Sequence, residues 1–340
     1  CNTITMSRNM RRFLWQLLLC IPLFSLSAMF ILMMTCDDGQ AGLKDCKQTP
    51  LSVERNHDSG GSDDQKVVKP LSAFVVVLVM SGPKLLAGRQ ALRETWLMLK
   101  TDEVLVRFVI GTDGLSAEQM QLLAHEQEKF KDLLFLPDLT DSFSALTQKL
   151  IDMFVWLDHN VDYSFVLKVD DDSFVRLDTV LTELQGKSRE KFFWGFFDGR
   201  ARVHRAGKYA ETDWVLCDRY LPYAKGGGYV LSSDLVQFVS DNSRYLKKYK
   251  GEDVSLGSWL AAVEVNREHD TRFDTEYKSR GCSNSYLITH KQSLEDMRQK
   301  WLNYKRTGRL CAQEFQIRPS YRYDWQKPPT ECCQREQGLP

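Results

Sequence analysis

YSFVLKVDDDSFV, residues 163–175, is the stretch on which the reading of this chain turns. Tyr163 to Val169 is dominated by aromatic, β-branched and other apolar residues and reads as a strand. Asp170, Asp171 and Asp172 follow without a spacer, so three carboxylates stand at the carboxyl end of that strand. Upstream the pattern alternates. LSAFVVVLVM (71–80) is a continuous apolar run, as in a strand buried on both faces. A helical stretch follows with apolar residues at Leu85, Leu92, Trp96 and Leu99, and Trp96 reads as core. VLVRFVIG (104–111) is a second strand. Ser116 with Gln119 forms a capping box for a helix through Phe130, and LLFL (133–136) is a short third strand. Phe143, Leu146, Leu150, Phe154 and Leu157 recur at spacings of three and four, which makes one face of a helix. Strands alternating with helices predict an α/β fold with a parallel, doubly wound sheet covered by helices on both faces.

Open α/β sheets bind ligands at the carboxyl edge of their strands. Three adjacent like charges repel there, and a divalent cation relieves the repulsion; all-oxygen ligands suit Mg²⁺ or Mn²⁺. Such ions keep positions open for phosphate oxygens, so the triplet points to a metal-dependent nucleotide site. An acidic turn facing water has the same composition. On the residues alone a nuclease, a phosphatase and a glycosyltransferase all remain open.

The chain has 340 residues, and its 45 basic and 45 acidic side chains cancel. No nucleic-acid partner is therefore expected. Phe13 to Met34 carries no charge, and as a helix it would rise roughly 33 Å, enough to cross a hydrocarbon core. Arg8, Arg11 and Arg12 precede it, while Asp37 and Asp38 follow, which keeps the amino terminus cytoplasmic. The organisation read from these features is a cytoplasmic tail (1–12), a transmembrane signal-anchor (13–35), a stem (36–70) and a lumenal domain (71–340). The stem has too few apolar residues to build a core. The chain opens on Cys1, and Met6 or Met10 is the expected start.

KVDDDSFV (168–175) resembles the Asp-X-Asp motif of glycosyltransferase family 31. ALRETW (91–96), LPYAKGGGYVLS (221–232), EDVSLG (252–257) and RGCSNSYLITH (280–290) resemble further blocks of that family, in the same order. The resemblance spans Leu71 to His290. WGFFDGRARV (194–203), the stretch 267–297 and the ending ECCQREQGLP are similar to the member that adds the second galactose of the glycosaminoglycan–protein linker. It implies a GT-A-like domain and a single inverting displacement of UDP from UDP-α-galactose by the 3-hydroxyl of a galactose. The acceptor would be Galβ1,4-xylose on proteoglycan core proteins, in the Golgi membrane, alongside other linker glycosyltransferases. By the same resemblance Asp172 ligates Mn²⁺ with His290, and Asp170 faces the ribose and metal, with Asp171 nearby. Asp253 is the general base and Glu252 orients it or the acceptor. On the residues alone, Glu252 and Asp253 equally suit the first turn of a helix, where acids complement the dipole. Gly227 and Gly228 lie by the donor, either as a close approach or as a tight turn. Trp194 and Tyr223 offer faces to acceptor sugars. Arg93 is a candidate for the pyrophosphate or uracil, against the alternative of a helix-surface ion pair, with Lys149 and Lys168 of the same kind.

Ser255 and Leu256 depart mildly from the family pattern, and the chain has no Asn-X-Ser/Thr sequon. Cys36, Cys46, Cys217, Cys282, Cys311, Cys332 and Cys333 lie beyond the anchor, where disulfides form. The last five lie in the domain, so one stays free or pairs elsewhere, and adjacent Cys332 and Cys333 would tie the tail to two partners. A β-1,3-N-acetylglucosaminyltransferase is the rival within the family. A lectin-like relative would need a broken triplet or base, and a metal hydrolase would need more clustered ligands than six scattered His provide.

Overall fold

The computed structural model describes residues 69–340. The expected tail and anchor, and all of the stem but Lys69 and Pro70, lie outside the described residues. Four strands arise where the apolar runs predict them: β1 (Leu71–Met80), β2 (Val104–Gly111), β3 (Leu133–Leu136) and β4 (Val161–Asp170). Val75 to Val79 are all fully buried. Successive residues of a strand face opposite ways, so both faces of the sheet are covered. Between these strands run α1 (Leu86–Glu94), α2 (Ala117–Phe130) and α3 (Leu146–Asn160), and the Ser116–Gln119 capping box forms as read. After β4 come β5 (Phe174–Val175), α4 (Leu177–Leu184), β6 (Phe192–Asp198), β7 (Tyr223–Ser232), α5 (Ser233–Asn242), α6 (Glu252–Trp259), β8 (Asn266–His269) and β9 (Phe273–Asp274). Short strands β10 (Gly281–Cys282) and β11 (Ile288–Thr289) precede α7 (Leu294–Thr307).

The central sheet has seven strands in the order β3-β2-β1-β4-β7-β6-β8. All pairings are parallel except those of β7, which runs against both β4 and β6. The sheet is therefore mostly parallel rather than wholly so. Helix α3 packs against both α5 and α6, and α1 packs against α7.

The reversal of β7 positions the site. In a parallel strand the amino end would lie at the far edge; here the start of β7 lies beside the end of β4, with Val169 opposite Gly228. Gly226, Gly227 and Gly228 are inside β7 and none has a positive φ, so of the two readings of the glycine run the tight turn does not occur. Beyond the sheet, β11 sits between β5 and β9 and carries His290 at its end. Cys282 bonds Cys311, and Cys217 is free and exposed. Cys332 and Cys333 bond one another, so the tail is not tied to two partners as the sequence suggested. Among the described residues, no helix is long and apolar enough to cross a membrane.

Candidate active site

Strand β4 ends in a rim of carboxylates. The residues after it turn tightly, with Ser173 N–H donating to the Asp170 carbonyl, and the indole N–H of buried Trp96 holds the Ser173 carbonyl at 3.0 Å. Three atoms converge there. His290 Nε2 lies 3.2 Å from Asp170 Oδ2 and 3.0 Å from Asp172 Oδ1. One ligand atom from each of the three residues lies within 4.8 Å of the others. Both His290 ring nitrogens and Asp172 Oδ1 are buried without a well-directed hydrogen bond. Buried polar atoms left unpartnered are costly, and a cation between them removes that cost. Carboxylates suit Mn²⁺ and an imidazole can join them without singling that ion out, so the residues present fit a divalent cation. Burial works against charging His290, yet Asp170 and Asp172 carry its pKa up to about 9. Burial also opposes ionisation of Asp170, but Lys168 first and then His290 hold it well below the usual carboxylate range.

Gly227 is what lets the imidazole in. A Cβ there would stand 2.5 Å from the His290 ring, and one on Gly228 would stand 2.9 Å from Ile288. The glycine run is thus a close approach of backbone to side chain, with no demand on φ.

Lys168, fully buried, joins this cluster to the helix carrying Glu252 and Asp253. Its ammonium donates to Asp170 Oδ1 at 2.8 Å, Glu252 Oε1 at 2.7 Å and the Gly226 carbonyl at 2.6 Å. An ammonium has three protons, and all are used. Lys168 therefore ties parts of the site together and keeps no proton for a phosphate. Burial would lower its pKa, but Asp170 and Glu252 outweigh that and raise it. Asp253 follows at the amino end of α6. Its Oδ2 accepts from Gly226 N–H at 3.0 Å and its Oδ1 from Val254 N–H at 2.8 Å. Burial, then the neighbouring Glu252 charge, push its pKa up to about 7. A carboxyl group poised near neutrality suits general-base work.

Asp171 faces the other way, toward β1. It accepts from Ser81 Oγ at 3.0 Å, and fully buried Arg89 donates to the same hydroxyl at 3.2 Å. Burial and the two flanking aspartates raise Asp171 to about 6. Lys149 reaches the same edge, donating to Asp141 at 2.6 Å and to the Ser81 carbonyl, and burial lowers its pKa. Ser81, Arg89 and Asp141 were not singled out from the sequence. The available signal was Arg89 standing one helical turn before Arg93. Lys291, directly after His290, also binds Asp172 at 2.9 Å.

Three sequence candidates are not brought to the cluster as free binding groups. Arg93 donates to both oxygens of Asp132 at 2.8 Å and to Glu126 at 2.7 Å, over the rings of Phe108 and Phe130. Asp132 precedes β3, so this guanidinium points away from the carboxyl edge; it forms the ion pair, not a phosphate cradle. Trp194 is fully buried, its indole N–H on Asp270 at 3.0 Å and its ring against Phe273. It has no open face for a sugar. Tyr223 is also buried, its hydroxyl accepting from Lys225 at 2.7 Å, while Lys225 pairs with Asp198 at 3.0 Å. An aromatic residue at a strand position serves core and platform equally well by composition, so only packing separates them.

The galactosyltransferase family model matches residues 87–271, which hold the aspartate triplet, the glycine run and the Glu252–Asp253 pair. The mouse "Beta-1,3-galactosyltransferase 6" is 49% identical over 89% of this chain and 96% of its own length. A Xenopus laevis "UDP-GalNAc:beta-1,3-N-acetylgalactosaminyltransferase 2" is 34% identical over 57% of this chain and 39% of its own. Among solved structures, an active-site mutant of LgtC aligns at 14% identity and a TM-score of 0.33, covering 64% of this chain and 86% of that one, a likeness too slight to argue from. The match over more than half the chain, with the near full-length similarity to the mouse enzyme, places this chain in the galactosyltransferase family, glycosyltransferase family 31.

Proposed function

We propose that this chain is an inverting, metal-dependent β-1,3-galactosyltransferase that moves galactose from UDP-α-galactose to the 3-hydroxyl of galactose in Galβ1,4-xylose on proteoglycan core proteins. The observation that carries the reaction is the Lys168 bridge, because it sets a near-neutral carboxyl group beside a site fit for a cation. Asp170, Asp172 and His290 would hold Mn²⁺, which when bound neutralises charge on the diphosphate of the leaving UDP. Asp253 takes the proton of the attacking hydroxyl as its oxygen bonds to the anomeric carbon and the bond to UDP breaks. The electron pair leaves with UDP, and the configuration inverts. Glu252, held by Lys168, fixes the turn from which Asp253 projects. Transfer of galactose is supported by the similarity to the mouse enzyme, the galactosyl-xylose acceptor by the resemblance carried by residues 194–203, 267–297 and the C-terminal ending, and residence in the Golgi membrane as a single-pass type II protein by the anchor-like sequence of residues 13–35 together with the family.

The test incubates the purified protein with UDP-galactose, Mn²⁺ and a Galβ1,4-xyloside, following UDP release and product linkage. A β1,3-linked digalactosyl product, lost with a chelator and in Asp172→Ala and Asp253→Asn, is the expected result. Transfer from UDP-N-acetylglucosamine instead would leave the mechanism and overturn the donor.

A further inference from the structure

With Trp194 and Tyr223 buried, neither supplies an open aromatic face for a sugar ring. Two other aromatic residues meet at the same edge of the sheet. The connection from β3 to α3 carries Phe143, which is 57% exposed. The connection from β6 to β7, residues 199–222, carries Tyr209, partly exposed. Both connections start at the carboxyl end of a strand parallel to β4, so both lie on the side of Asp170. Their rings meet edge to face, 6.3 Å apart at 81°. The ammonium of Lys208 lies 3.8 Å from the centre of the Phe143 ring and 4.9 Å from that of Tyr209, clamping the pair.

The long connection is docked against the base helix. A small cluster of Val203, Tyr220, Tyr223, Tyr249 and Val254 packs beneath it, apart from the main core. Both oxygens of Glu211 accept from the Lys250 N–H, at 3.0 and 3.2 Å. The turn closes on itself through Ala210 N–H to the Gly207 carbonyl and Glu211 N–H to the His204 carbonyl, with Gly207 at φ +80°. Tyr209 therefore stands two residues from an anchor whose partner, Lys250, stands three residues before Asp253. From the other side, Thr147 of α3 donates to the Tyr249 carbonyl at 2.7 Å. The Tyr209 hydroxyl lies in the field of Glu252, Asp253 and Asp170, which add to burial in raising its pKa.

We infer that Tyr209 and Phe143 form the lip on which the pyranose ring of the acceptor packs, presenting its hydroxyl to Asp253. This rests on the galactosyltransferase reading above. An aromatic face covers the C–H face of a pyranose while the rim hydroxyls keep their hydrogen bonds, and Tyr combines that face with a polar tip. The residues that would hold the metal and the donor diphosphate stand at the ends of β4 and β11, on elements other than the two connections that carry the lip. The lip thus acts on acceptor recognition and leaves the nucleotide contacts untouched.

The test compares the full chain with Tyr209→Ala, Tyr209→Phe and Phe143→Ala. Acceptor KM, donor KM and the dissociation constant for UDP in Mn²⁺ are read for each. Both alanine variants should raise acceptor KM about 10-fold or more, as buried aromatic contacts at recognition sites do, with donor KM and UDP affinity held. Tyr209→Phe, which keeps the ring, should recover most of the acceptor KM. Unchanged acceptor KM in both alanine variants, or a parallel rise in donor KM and loss of UDP affinity, would overturn the lip while normal transfer by the native chain leaves the proposed function standing. A native chain that binds UDP but transfers to no galactoside overturns both.

Discussion

Asp253 is half-buried beside Glu252, and both circumstances resist its ionisation, which places its pKa at about 7. The acid limb of the rate against pH should therefore fall near pH 7, as Asp253 must be ionised to accept a proton. Removing that carboxylate in Asp253→Asn should cost at least about 10²-fold in rate. The same shift has a sign for stability. A carboxyl group whose pKa is higher folded than unfolded stabilises the fold fully below the unfolded value of 3.8, and that contribution is lost as pH rises through about 7. Asp253→Asn should thus melt higher than the native chain at pH 8, with the advantage vanishing near pH 4; an equal gain at both pH values would assign it to packing instead. Lys168 carries the opposite risk. Lys168→Met leaves Asp170 and Glu252 facing each other in the interior, expected to cost about 3–5 kcal/mol in urea unfolding at neutral pH.

At the scale of elements, the antiparallel β7 does most to shape the site, and its glycines are the reason it can lie so close to β11. Gly227→Ala places a Cβ against the His290 ring, and the ring is the softer partner because the strand is pinned on both sides. The variant should stay folded but weaken Mn²⁺ binding roughly 10-fold or more, as displaced ligands do, measured by calorimetric titration. Unaltered Mn²⁺ affinity would show that His290 is not a ligand. These elements were unevenly legible. The strands and helices up to Asp170 have runs long enough to show a period. Strands β5, β9, β10 and β11 have two residues each and carry no period at all. The glycine run left a close approach and a turn both open, because composition cannot separate a strand that must approach a side chain from a chain that must bend.

At the scale of the molecule, the described residues, 69–340, fall in one compact unit. Every residue placed at the site belongs to it. A fragment beginning at Lys66 should melt cooperatively and bind UDP in Mn²⁺ with the affinity of the full chain, by calorimetry. Weaker binding would mean that residues 1–65 contribute to the donor site.

What the sequence by itself determined is local: a buried strand ending in Asp170, Asp171 and Asp172, the helices around it, and the residue types capable of metal and base chemistry. Hydrophobic period and strand-end position are properties of neighbours in the chain, so they are visible there. Only the tertiary structure decided that Lys168 would reach Glu252 across 84 residues, that Arg93 would turn to Asp132, and that Trp194 and Tyr223 would be sealed while Tyr209 stayed partly exposed. Those outcomes depend on which strand lies beside which and in what direction, and on how charges pair once water is excluded. No spacing along the chain encodes that, because the free energy of a buried lysine or tryptophan is set by atoms that become its neighbours only on folding.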